Sequence, residues 1–217
     1  MPTVAVTDHT FPDLNIEASI LQPKGINITS FKERRPTSEI AQLVRDADAV
    51  IAQFAPIDAD VIAAMRNVKA IVRYGIGFDN VDIAAAKARN IPVCNIPDYC
   101  IDEVADQTLA FILAISRQVV PNALHVRDRK WGLATPLAEM RTLKHLTIGI
   151  VGFGRIGREV VARLIPFKPR ILVLDPIVDA AQITASGAEV SPSLEDFLER
   201  SDIVSPHCPS LPSTKRM

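Results

Sequence analysis

The run Ile148-Gly149-Ile150-Val151-Gly152-Phe153-Gly154-Arg155-Ile156-Gly157, followed by Arg170-Ile171-Leu172-Val173-Leu174-Asp175, constrains this chain more than any other feature. An apolar run entering Gly152-x-Gly154-x-x-Gly157 reads as a buried strand, a tight turn and the start of a helix. One glycine makes the turn, one lets the backbone approach a pyrophosphate, and one lets helix and strand pack closely. The helix N-terminus beyond them offers free N–H groups and a positive dipole end to phosphates. Asp175 ends the second apolar run, close to the ~20-residue separation at which a carboxylate takes ribose hydroxyls. The glycine pattern alone is weak. Strand, loop, helix, strand and terminal acid in that order predict a dinucleotide-binding βαβ unit.

Composition narrows the class. The 217 residues are 48% hydrophobic and 23% charged with a net charge of −1, the balance of an ordinary globular protein. The longest basic cluster, Arg127-Asp128-Arg129-Lys130, is interrupted by an acid, so neither nucleic acid nor an anionic membrane is an expected partner. No apolar run approaches the ~20 residues of a membrane span. Met1-Pro2-Thr3-Val4-Ala5-Val6 reads as a first strand rather than a signal peptide. Three cysteines without CxxC spacing suit a reducing compartment, and a cytoplasmic location is expected. No metal is expected.

Residues 1–100 alternate apolar runs and helical patterns. Strands are predicted at Thr3–Thr7, Ile26–Phe31, Ala49–Gln53, Ala70–Tyr74 and Ile91–Cys94. Helices are predicted at Thr37–Ala47, with Thr37 capping the start, and at Asp58–Met65 and Asp82–Arg89. Repeated units of this length imply a small doubly wound parallel sheet. Ile101–Val120 has no glycine or proline and reads as one long helix. It is apolar around much of its surface and so should be buried between domains or subunits. Pro121 is expected to start a second helix leading to Trp131-Gly132. From Leu146 the rhythm resumes, with strands at Thr147–Val151, Arg170–Leu174, Ala188–Val190 and Asp202–Ser205. A two-half dinucleotide domain uses about six strands. This chain supplies four, so the last would be a sheet edge, and the sequence reads as part of a longer protein.

At this point the chain resembles a known family, the D-isomer-specific 2-hydroxyacid dehydrogenases, which includes D-3-phosphoglycerate dehydrogenase, glyoxylate/hydroxypyruvate reductases and the C-terminal-binding-protein corepressors. The carriers are Arg73-Tyr74-Gly75-Ile76-Gly77-Phe78-Asp79-Asn80-Val81-Asp82, Cys94-Asn95-Ile96-Pro97, and Glu103-Val104-Ala105-Asp106-Gln107-Thr108-Leu109. The Gly149–Gly157 fingerprint with Asp175-Pro176, and His207-Cys208-Pro209 through Leu211-Pro212-Ser213-Thr214, complete the set. The resemblance implies a flavodoxin-like substrate domain, here residues 1–100 as its N-terminal part. It is joined to a Rossmann-type doubly wound NAD-binding domain, here 101–217 and incomplete. The active site is expected between them.

By resemblance, Tyr74, Gly75, Ile76 and Gly77 form the substrate-domain loop whose N–H groups hold the substrate carboxylate, a Gly-rich turn suited to an anion nest. Ile76 also sits at a nicotinamide-side contact, where an apolar side chain leaves only backbone and van der Waals contact. Thr108 either lends its hydroxyl to the cofactor or bonds back to a helix carbonyl. Gly152, Phe153, Gly154, Arg155, Ile156 and Gly157 carry over as the pyrophosphate loop. Asp175, followed by Pro176, carries over as the ribose acceptor, and its charge favours NAD over NADP. His207, Cys208, Pro209 and Thr214 match the loop flanking the cofactor riboses. His207 is expected to be structural, and Cys208 is either a cofactor contact or a small buried apolar residue.

The family's catalytic Arg, its acidic residue and its His lie in motifs beyond the segment matched by Thr214, so no catalytic residue is assigned, and residues 1–217 alone are expected to show no turnover. Pro166 and Pro169 bracket a stiff turn where relatives use a glycine, and Pro206 is expected to end the fourth strand early. Three readings follow. One is an NAD-dependent oxidoreductase moving a hydride between NAD(H) and a small D-2-hydroxy acid/2-keto acid pair, as a homodimer built on the Ile101–Val120 helix. The others are an NAD-sensing corepressor-like binding protein and a catalytically inactive fragment.

Overall fold

The structure is a computed structural model that describes residues 1–211 and 213–217; Pro212, part of the last motif, lies outside the described residues. The chain divides into two compact units, Met1–Tyr99 and Cys100–Met217.

The first unit runs β1 (Thr3–Val6), α1 (Asn15–Leu21), β2 (Asn27–Ser30), α2 (Thr37–Val44), β3 (Ala49–Ala52), α3 (Ala59–Ala64), β4 (Ile71–Arg73), α4 (Ile83–Ala88) and β5 (Val93–Cys94). Its strands are parallel in the order β2-β1-β3-β4-β5, with Val4 opposite Ile28 on one side and Ala49 on the other. This is the flavodoxin-like order. Ala5, Val50, Ala52 and Ile71 are fully buried against Ile40, Val44, Val61 and Ile62 of the helices. Carboxylates set the helix starts at α3 and α4. Asp58 accepts from the Val61 N–H at 3.0 Å, and Asp82 from the Ala85 N–H at 2.9 Å.

Thr37 does not cap α2. Pro36 occupies that position in an extended conformation without a side-chain bond, and Thr37 falls inside the first turn. Proline's fixed φ sets the boundary one residue earlier than the hydroxyl suggested. Helix α1 lies outside the predicted elements; it is a short helix whose apolar residues Ile16 and Ile20 face solvent.

The second unit runs α5 (Ile101–Ser116), α6 (Val119–Arg127), β6 (Thr147–Val151), α7 (Arg155–Leu164), β7 (Arg170–Leu174), α8 (Ala180–Ala185), β8 (Glu189–Val190), α9 (Leu194–Arg200) and β9 (Ile203–Pro206). The sheet is parallel, order β8-β7-β6-β9, the 3-2-1-4 half of a Rossmann sheet. Among the described residues β9 is an edge. Ile148, Ile150, Val160, Leu164, Ile171 and Val173 form the core with Ala105 and Ile112 of α5. Arg163 of α7 ties α5 down through Asp102 and Asp106 at 2.5 and 2.6 Å.

The single helix expected over Ile101–Val120 is two. α5 stops at Ser116, Gln118 is left-handed with φ 53°, and α6 leaves at 64°. In a continuous helix the Pro121 ring would collide with the Arg117 carbonyl. The break falls there instead and puts Pro121 in the first turn of α6, where a missing N–H costs little. Ala105, Ile112 and Ser116 are inside, whereas Phe111, Ile115, Val119 and Val120 are exposed. Among the described residues no single helix is long and apolar enough to cross a membrane; α5 and α6 together have the length and composition but are bent at their junction.

Pro206 does not end β9 early. It lies opposite Val151, and the next residue, His207, donates its N–H to the Val151 carbonyl at 2.7 Å. Alternate residues bond to a given neighbour, so the proline nitrogen faces away from β6 and no bond to β6 is lost. The 3₁₀ turn Ile165–Phe167 includes Pro166, and Lys168, just before Pro169, takes the left-handed position (φ 59°) where glycine is favoured.

Candidate functional site

The glycine loop lies at the C-terminal end of the second sheet, the end where open α/β sheets take their ligands. Its three glycines are needed for different reasons. Gly152 has φ 92°, and a Cβ there would lie 2.9 Å from the Cys208 amide nitrogen. At Gly157 a Cβ would lie 2.1 Å from the Gly152 carbonyl oxygen, so helix and turn touch backbone to backbone. Gly154 is different, for a Cβ there meets nothing within 4 Å and the residue is exposed. It opens α7 with no side-chain cap, whereas Asp58, Asp82, Asp179 and Ser193 cap α3, α4, α8 and α9. Open space beside an uncapped N-terminus of a ten-residue helix is where a phosphate group fits.

Asp175, at the tip of β7, is wired into this loop. Oδ2 accepts from the Phe153 N–H at 2.6 Å, and Oδ1 accepts from the Ile177 and Val178 N–H groups at 2.8 and 2.9 Å. Partial burial pushes its pKa up, but the three N–H donors and the Arg158 charge outweigh that and hold it below the ordinary carboxylate range. A carboxylate has about four acceptor positions, so Oδ2 keeps room for one further donor. Phe153 is buried, and the Arg158 guanidinium lies 4.6 Å over its ring. Arg155 is exposed at the first position of α7, Ile156 packs against the core, and Pro176 is exposed.

The His207–Thr214 segment closes the other side of Gly152. His207 Nε2 lies 3.0 Å from Ser205 Oγ, and burial lowers its pKa. The Cys208 side chain packs on the Val151–Leu172–Phe197 cluster while its backbone lines Gly152. Pro209 is exposed, and Thr214 Oγ1 donates to the Pro209 carbonyl at 2.6 Å and accepts from the Leu211 N–H at 2.8 Å. Thr108 donates to the Val104 carbonyl of its own helix at 2.8 Å. Gly152, Phe153, Gly157, Asp175, His207 and Cys208 are therefore gathered at one place, while the hydroxyls of Thr108 and Thr214 are used locally.

In the first unit, the loop after β4 is held from several directions. The Tyr74 hydroxyl donates to Glu17 at 2.6 Å, its ring meets Phe11 edge-on at 5.4 Å, and burial and the Glu17 carboxylate push its pKa up. The Ile76 carbonyl accepts from Asn95 Nδ2 at 2.8 Å, and the Gly75 carbonyl from the Ile96 N–H at 3.0 Å. Among the described residues, the N–H groups of Ile76 and Gly77 have no acceptor, as an anion nest requires. Arg73 explains Gly75. Its guanidinium sits where a Gly75 Cβ would be and donates to the Tyr74 carbonyl at 2.8 Å. Sequence reasoning gave no role to Arg73 or Arg158. Arg158 folds back over Phe153, and Arg73 reaches the Phe54 ring and the Tyr74 carbonyl, contacts that residue spacing does not signal.

The family model for the D-isomer specific 2-hydroxyacid dehydrogenase catalytic domain matches residues 4–205. The chain belongs to the D-isomer specific 2-hydroxyacid dehydrogenase family. Among family members, it is 36% identical over 178 residues to a D-3-phosphoglycerate dehydrogenase of Mycobacterium leprae, covering 82% of this chain and 33% of that protein. It is also 36% identical over 192 residues to a glyoxylate reductase of Korarchaeum cryptofilum, covering 86% of this chain and 58% of the relative. The crystal structure of the TT0316 protein from Thermus thermophilus superposes with a TM-score of 0.83 at 32% identity, covering 99% of this chain and 67% of that one. The chain spans about a third of the length of the D-3-phosphoglycerate dehydrogenases it matches.

Proposed function

We propose that the protein is an oxidoreductase that moves a hydride between NAD(H) and a small D-2-hydroxy acid/2-keto acid pair. The observation that carries this reading is the open side of Gly154 at the uncapped start of α7, beside a carboxylate fixed by the same loop. Bound there, a nicotinamide cofactor supplies the hydride. Gly152–Gly157 and Arg155 would hold the pyrophosphate, and Asp175, followed by Pro176, would accept a ribose hydroxyl at Oδ2. A 2′-phosphate would meet that negative charge, which favours NAD over NADP. His207, Cys208, Pro209 and Thr214 would flank the riboses. Thr108, its proton given to Val104, can offer only an acceptor. In the first unit, the free N–H groups of Ile76 and Gly77 in the Tyr74–Gly77 loop would hold the substrate carboxylate.

The exposed apolar residues Phe111, Ile115, Val119, Val120 and Leu124 suit a homodimer interface. The three free cysteines suit a reducing cytoplasm. The test is NADH absorbance with glyoxylate, hydroxypyruvate and pyruvate offered to the whole protein. Saturable oxidation of NADH by one of them is expected, and none with any 2-keto acid would refute the activity.

A further inference from the structure

A cleft lies between α4 and β5, the edge strand of the first sheet, and encloses about 530 Å³. That volume falls within the roughly 300–1,000 Å³ of small-molecule sites. Much of its lining is apolar. Ile91 is buried and Val93 half-buried, while Phe78 and Ile83 line the cleft with 47% and 40% of their surface exposed. A single exposed apolar side chain needs no explanation, but these two share one concavity. None of these side chains has a part in holding the nucleotide or the 2-keto acid.

The polar part of the lining carries one sign of charge. Lys87 is its cation, and no Asp or Glu lines the cleft. Among the described residues Lys87 makes no ion pair and the Asn90 side chain no hydrogen bond. Asn95 spends its amide nitrogen on the Ile76 carbonyl at 2.8 Å. The last turn of α4 ends here, but its carbonyls are already in use. Ala86 and Lys87 accept from the N–H groups of Arg89, Asn90 and Ile91. The other end of α4 is capped by Asp82, so this helix offers no phosphate cradle. The apolar wall disfavours a sugar, the Lys87 charge disfavours a cation, and one ammonium is a poor match for a phosphate dianion.

We propose that the α4–β5 cleft is a binding site for an amphipathic monocarboxylate, whose apolar body lies against Phe78, Ile83 and Ile91 and whose carboxylate meets the Lys87 ammonium and the Asn90 amide. Burial of the body removes apolar surface of both partners from water. The contact with Lys87 fixes the orientation and adds a charge-assisted hydrogen bond. The site is separate from the Tyr74–Gly77 loop, which offers backbone N–H groups and not a charged side chain on an apolar wall. It depends on neither the nucleotide nor the 2-keto acid reading.

The test is calorimetric titration of the whole protein with octanoate, combined with labelling of Cys94, an exposed thiol that lines the cleft. Saturable binding of one octanoate per chain is expected. Acetate, which lacks the body, and 1-octanol, which lacks the charge, should each bind about tenfold or more weakly, the scale of a charge-assisted hydrogen bond. Lys87→Gln should weaken octanoate about tenfold and leave 1-octanol unchanged, and Lys87→Arg should keep most of the parent affinity. Lys87 is exposed, so both variants should keep the parent circular dichroism. Saturating octanoate should slow alkylation of Cys94 by iodoacetamide severalfold, read by peptide mass spectrometry, and leave the Cys208 rate unchanged. This places the ligand in the cleft and not on another apolar surface. No saturable octanoate binding, an octanoate affinity unmoved by Lys87→Gln, or a Cys94 rate unmoved by octanoate would each overturn the site. None of these results bears on the oxidoreductase reading, which the NADH assay tests.

Discussion

The Phe153 amide donates to Asp175 Oδ2 at 2.6 Å, so the tip of β7 holds the turn at the tip of β6. The residue that would select the ribose is thus also a strut of the pyrophosphate loop. Replacing it tests both roles. Asp175→Ala leaves three backbone N–H groups without their acceptor. It should lower stability by about 1.5–3 kcal/mol, the scale of hydrogen bonds to a charged group, as well as weaken nucleotide binding. Urea unfolding of the ligand-free protein separates the two effects, and an unchanged midpoint would remove the strut.

The glycines should divide by role. Gly157→Ala drives a methyl into the Gly152 carbonyl, a backbone atom that cannot move aside, and should cost about 1–3 kcal/mol or more. Gly154→Ala meets no protein atom and should change stability by no more than about 0.5 kcal/mol while weakening nucleotide binding clearly. Equal thermal destabilisation by the two variants would contradict this assignment of the open side.

Much of this arrangement was legible in the sequence. Thr147–Val151 and Arg170–Leu174 form strands with the predicted ends, because apolar runs bounded by glycine, proline and charge leave little choice. The parallel order of both sheets followed from the spacing of the βα units. What was not legible depends on the conformation that neighbouring residues impose on one another. Thr37 lost the cap of α2 to Pro36, and the helix break at Gln118 required weighing Pro121 against the Arg117 carbonyl rather than reading apolar periodicity. The site shows the same division. The loop glycines could be named from their pattern, but Arg158 over Phe153 and Arg73 over Gly75 are long side chains folded onto neighbours, which no residue pattern signals.

His207 gives a pH signature. Burial lowers its pKa from 6.5, so the folded state resists protonation more than the unfolded chain does. Well above pH 6.5 both states are neutral and stability is unaffected. As the pH falls below that value the unfolded chain takes up a proton first, and stability should decline until the folded-state value is passed. His207→Gln should flatten this part of the pH profile of the urea midpoint. A slope between pH 7 and 5 identical in the variant would assign the decline to other groups.

The exposed apolar surface of α5 and α6, with Trp131 98% exposed beyond it, should be covered by a second copy in solution. Light scattering at micromolar concentration should give twice the chain mass, and a Phe111→Glu variant should give a monomer. A parent protein that is monomeric under those conditions would contradict the dimer.

The most direct test of the central claim is calorimetric titration of the protein with NAD and NADP, repeated with Gly154→Ala. The account predicts saturable binding of one NAD per chain, weaker binding of NADP because of Asp175, and a clear loss of NAD affinity in the fully folded variant. Equal affinity for the two nucleotides would contradict the role of Asp175, and NAD affinity unaffected by Gly154→Ala would contradict the placement of the cofactor at the start of α7.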